Sequence, residues 1–171
     1  MKQQLEPEWW DGAWLKFFPG DQITTPVTIA NPLDTKIFHR LPCSGIVEVG
    51  HTDSFDTTVL HVPDLELVVA GNAYFEKADT TEKRLEWIKA IEKIEALNPK
   101  TVVAGYKRPG SADGSYYLQS TKEYINMFED VVKVSCSVEE IVTQMKSRYP
   151  DRVNPNAIMA GAFAAMKEEQ N

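Results

Sequence analysis

A chain of 171 residues, 43% hydrophobic and 25% charged, has the balance of a soluble globular protein and is long enough for one real core. A net charge of −7, with no clustering of basic side chains beyond the pair Lys107-Arg108, excludes a nucleic-acid binder, whose phosphate partners demand basic patches. No apolar run approaches the ~18 residues of a membrane span, and the N-terminus does not read as a signal peptide.

Leu5 to Phe18 reads as a helix, with Trp10, Trp14, Phe17 and Phe18 on one face, Pro7 in its first turn and Pro19-Gly20 after its end. That stripe suits core packing, or an aromatic surface facing a ligand or partner. Short strands follow at Val27 to Ala30 and Lys36 to Leu41; His39, within the second, has no motif around it. Ile46 to Val49 is a strand, then comes the loop Gly50-His51-Thr52-Asp53. Thr57 to Val62 and Leu67 to Ala70 form a hairpin through Pro63-Asp64, with His61 as a cross-strand packing residue.

The spacing of Asp79 and Glu82 predicts a helix start. That helix runs to about Leu97, with Ile88, Ile91 and Ile94 inward, and stops at Asn98-Pro99. Thr101 to Ala104 then completes a β-α-β unit, so it lies parallel to and beside Leu67 to Ala70. The remainder is helical. Tyr117, Thr121, Tyr124, Ile125 and Phe128 share one face. Ser137 and Glu140 form a capping box that opens a helix with Val138, Ile141, Val142, Met145 and Tyr149 inward. Asn154-Pro155 caps a last helix striped by Ile158, Met159, Ala162, Phe163 and Met166. The two cysteines, Cys43 and Cys136, lack metal-binding spacing and read as buried free thiols in a reducing cytosol.

Three strands end alike, in a glycine and then a polar side chain: Gly50-His51, Gly71-Asn72 and Gly105-Tyr106. Glycine lets a strand end in a sharp turn. In one sheet with these ends together, His51, Asn72 and Tyr106 share a rim, where sheets layered with helices hold their ligands.

The segments Glu48-Val-Gly-His-Thr-Asp53, Asp56-Thr-Thr-Val-Leu-His-Val-Pro63, Leu67-Val-Val-Ala-Gly71 and Pro99-Lys-Thr-Val-Val-Ala-Gly105 resemble the second half of metallo-β-lactamase-fold hydrolases. Lys107-Arg-Pro-Gly110 and Tyr149-Pro-Asp-Arg-Val-Asn-Pro155 resemble segments of one branch of that superfamily. The resemblance covers nearly the whole chain. It implies an α/β (α+β) fold, half of an αββα sandwich, in a single truncated domain over residues 1–171. Within it, 1–20 is the aromatic helix, 27–106 one mixed sheet with its crossover helix, and 115–167 the C-terminal helices.

The resemblance also implies a metal site at the rim, and shows how little of it remains. The family's His-x-His-x-Asp-His motif is absent, and the chain has three histidines in all. The later ligands fall on His51, on Asn72 in place of a bridging Asp, and on Tyr106 in place of His. A catalytic zinc needs about three protein ligands and an open position. We therefore expect no bound metal, no cofactor and no metal-hydroxide hydrolysis.

Half a sandwich leaves an apolar sheet face to be covered. A homodimer is the expected solution, with a separate chain supplying the other half as its competitor. The function expected is that of a metal-independent enzyme, a lyase or isomerase in secondary metabolism acting on an apolar or aromatic small molecule. His51, Asp53 and Tyr106 would carry proton transfer, and Asn72, Tyr74, Trp10 and Trp14 would contact substrate. A non-catalytic binding protein and a subunit completing a split hydrolase are the competing readings.

Overall fold

Four short β-branched runs build the sheet. In the computed structural model the described residues are 44–52, 56–70, 80–105, 107, 110–152 and 155–168, all within the compact unit Lys36–Asn171. The strands are β1 (Gly45–Gly50), β2 (Thr57–Val62), β3 (Leu67–Ala70) and β4 (Thr101–Ala104), in the spatial order β1-β2-β3-β4. Neighbours β1/β2 and β2/β3 are antiparallel and β3/β4 parallel, so the sheet is mixed.

The hairpin between β2 and β3 turns through a short 3₁₀ segment, Pro63–Leu65, and then Glu66, whose φ of 47° is left-handed. The Glu66 carbonyl accepts hydrogen bonds from the backbone N–H groups of Lys100 and Thr101, at 2.8 and 3.1 Å, which ties the hairpin to the start of β4.

The crossover helix α1 (Thr81–Glu95) begins one residue later than the Asp79–Glu82 spacing predicts. Its cap is Thr80, whose Oγ1 accepts the Lys83 N–H at 3.3 Å. A hydroxyl there satisfies a first-turn donor that has no helical partner. The helix ends at Glu95, short of Leu97, and Asn98 follows with a φ of 51°, a conformation asparagine tolerates better than most residues. Ile91 and Ile94 are buried, and Ile88 packs at the edge of the same cluster.

Register decides which strand residues meet α1. Val47, Val59, Ala70 and Ala104 lie in one row across the sheet, with Val68 and Val102 on the same face. All of these but Ala104 join Val49, Ala90, Ile91 and Ile94 with Leu118 and Ile125 of α2 (Tyr116–Val132) in the main core. Helices therefore cover this face. The alternate residues Ile46, Leu60, Val69 and Val103 point the other way and are half-buried.

The second half of α2 leaves the sheet and enters another core. Phe128, Val131 and Val132 pack there with Ile141, Val142 and Met145 of α3 (Val138–Arg148) and Ile158, Ala162 and Ala165 of α4 (Pro155–Glu168). The capping box at α3 is present, with Ser137 Oγ accepting the Glu140 N–H at 3.2 Å. The returning Glu140 carboxylate accepts the N–H of Cys136 at 2.7 Å. Cys136 is exposed, contrary to the expectation of a buried thiol, because it stands in the turn before the cap, outside either helix.

The α4 stripe is also rotated from its prediction. Met159 and Phe163 are exposed, and the inward row is Ile158, Ala162 and Ala165. Apolar residues line a wide arc of this helix, so sequence spacing leaves several rotations open. Ile158 and two small alanines face α2 and α3, with Met166 packed at the edge of the same cluster.

A buried ionic cluster fastens α1 to α2 and α4. Arg84 is 5% exposed and Glu129 8%, and their side chains form a direct ion pair. Glu168 lies 3.6 Å from Arg84 Nη2 and accepts the Thr81 N–H at 2.9 Å. Thr81 Oγ1 donates to Glu129 at 3.2 Å and accepts from Arg84 Nη2 at 3.1 Å. Charges this buried persist only when paired and hydrogen-bonded. The predicted N-terminal helix, the strands at 27–30 and 36–41, His39 and Cys43 lie outside the described residues.

Candidate functional site

The strand ends come out where the sequence pattern requires. Because Val47, Val59, Ala70 and Ala104 are in register, the last residues of β1, β3 and β4 and the first of β2 lie along one rim. Strands are spaced about 4.8 Å apart, which makes the ends of β3 and β4 neighbours and sets the end of β1 roughly 10 Å from β3. Gly105 follows directly from β4 at this rim, beside the end of β3 at Ala70.

His51 emerges from β1 through a β-bulge. Glu48 pairs with Thr58 and Gly50 with Thr57, so Val49 is an extra residue in the ladder. Val49 is 1% exposed and inserts its side chain into the main core. Gly50 adopts a φ of 102°, a conformation in which residues with a Cβ are strained. The imidazole that follows is buried, with Nδ1 wholly enclosed by protein. Next to it Thr52 is also buried, and its Oγ1 lies 2.7 Å from Thr57 Oγ1, closing the mouth of the β1–β2 loop.

Two side chains of α1 reach this corner. Lys93 Nζ donates to the carbonyl of Val49, at the bulge, at 2.8 Å. Glu86, two turns earlier on the helix, lies within electrostatic range of His51. The Glu86 carboxyl is held below its usual range, first by its hydrogen bond from Lys83, at 2.8 Å, against some desolvation. The positive charges of Lys83 and Lys89 lower it further. The corner therefore combines an enclosed imidazole and a lysine fixed on the backbone, with an ionised carboxylate in electrostatic range. Such a set can move a proton and balance the charge that results.

Of the residues singled out from sequence, His51 is described, at the rim as expected. Asp53, Asn72, Tyr74, Tyr106, Trp10 and Trp14 lie outside the described residues. Glu86 and Lys93 carried no sequence signal. The seven-residue step from Glu86 to Lys93 marks one flank of α1, but which flank meets the rim depends on how the helix crosses the sheet.

Among the described residues, no three His, Cys, Asp or Glu side chains gather as a metal ion would require. No protein-family model matches this chain, and no curated protein matches it. No helix among the described residues is long and apolar enough to cross a membrane.

Proposed function

We propose that this rim is the active site of a metal-independent enzyme acting on an apolar or aromatic small molecule, with His51 as the proton-transferring group. The observation that carries the reading is the burial of His51 at a bulged strand end, on the rim where β3 and β4 also terminate. An imidazole titrates near neutrality and can act as base and then as acid within one turnover. Asp53 and Tyr106 would assist it, and Asn72 and Tyr74 would contact the substrate. An isomerisation, cyclisation or dehydration needs no more than such a pair of proton transfers.

The donor set does not suit a catalytic metal of the metallo-β-lactamase kind. At the three positions where the resemblance would place ligands stand one imidazole, His51, one neutral amide, Asn72, and one phenol, Tyr106. No step of the proposed chemistry passes through a metal.

The test is deuterium uptake from D₂O into an aromatic β-diketone, comparing the wild type with His51→Ala and His51→Gln. An enzyme accelerates exchange and loses that acceleration in both variants. Binding of the probe without acceleration supports a binding protein instead.

The same reading includes a homodimer across the second sheet face, where Ile46, Leu60, Val69 and Val103 present apolar surface opposite the helices. Sedimentation velocity on the purified protein decides this, and a stable monomer rejects it.

A further inference from the structure

We infer that Lys93 is a positioning residue, which holds the β1 bulge and thereby sets where His51 emerges. A bulge has two backbone neighbours facing one partner, so the polar groups of its extra residue lose their place in the ladder. The carbonyl of that extra residue, Val49, is instead taken by Lys93 Nζ at 2.8 Å. A Cβ built on Gly50 would lie 3.5 Å from the same nitrogen. The ammonium thus sits against the backbone at the point where the register shifts. Register has a period of two, so gaining or losing one residue sends every following side chain to the opposite face. Without its lysine, the bulge has a regular ladder as its competitor, with Val49 opposite Thr57 and His51 displaced by one position. Lys93 lies on the crossover helix, so it also fixes the distance between α1 and the rim. The functional sense of this arrangement rests on the reading of His51 as the acting group, whereas its test involves no turnover.

That test is the rate at which diethylpyrocarbonate modifies His51, followed by peptide mass spectrometry with His39 and His61 as internal controls. Losing a hydrogen bond to a charged donor shifts a local opening by about tenfold or more. In Lys93→Met, which keeps the apolar stem, His51 should react about tenfold faster while His39 and His61 keep their rates. Lys93→Arg, still a charged donor, should restore slow modification. An unchanged His51 rate in Lys93→Met overturns the inference. So does a rise shared equally by all three histidines, or one that Lys93→Arg fails to reverse. Wild-type protein supplies a second measurement, independent of whether any variant folds. Lys93 and Lys133 are both exposed, so reductive methylation should reach Lys93 more slowly only because its ammonium is held on the Val49 carbonyl, and equal rates would overturn the inference as well.

Discussion

Arg84→Met removes the cation from the ionic cluster and leaves most of its stem in place. Arg84 is 5% exposed and its guanidinium lies 5.2 Å from the centre of the Phe128 ring, so methionine preserves much of that packing. What remains is a Glu129 carboxylate, 8% exposed, whose surviving contact in the cluster is the Thr81 hydroxyl at 3.2 Å. Breaking a buried pair from one side costs about 3–5 kcal/mol. Glu168 is a third exposed at its side chain and stays hydrated, so it adds little to the loss. The expected cost is therefore about 3 kcal/mol, the lower end of the range. For a chain of this size that lowers the melting temperature by roughly 6–12 °C.

Urea denaturation followed by circular dichroism measures the cost directly. The double variant Arg84→Met/Glu129→Leu should recover most of it, because an apolar pair of similar volume replaces two buried charges at little net expense. A loss below about 1 kcal/mol in Arg84→Met would refute the reasoning, as would a double variant that merely sums the two single losses.

Two further outcomes are expected. Ser137→Ala removes the hydroxyl that accepts the Glu140 N–H and should cost about 1 kcal/mol in the same denaturation, with α3 fraying first in amide hydrogen exchange. The Tyr124 phenol is pushed above its ordinary range by burial, against the lowering effect of the Arg152 cation stacked 4.0 Å from its ring centre. A folded pKa above the unfolded one gives stability that is complete below about pH 10 and is lost as pH rises through the folded value. Melting temperatures between about pH 9 and pH 11 should therefore fall less steeply in Tyr124→Phe than in the wild type, and parallel slopes would contradict the assignment.

The sheet was legible because its strands announce themselves locally. Val68 and Val102 sit in β-branched runs of four, each closed by glycine, and the helix between them can only return the chain parallel. The candidate site was half legible. His51 stood out by its residue type and its place after a strand and a glycine. Lys93 and Glu86 did not, because on a helix surface a charged residue that braces a rim reads the same as one that faces water. Cys136 and Phe163 show the same limit from the other side, since hydrophobicity says that a residue can be buried and not that it is.

Local sequence determined the four strands, the hairpin, the capping box at Ser137 and the order in which the helices follow. Each depends on backbone preferences and on periodicities of two or 3.6, which neighbouring residues express without knowledge of the rest. Tertiary structure decided the bulge at Val49, the rotation of α4, the burial of Arg84 against Glu129 and the meeting of Lys93 with the end of β1. The Lys93 contact and the ionic cluster join residues 44 to 87 positions apart in the chain, and only the packed chain brings them within reach.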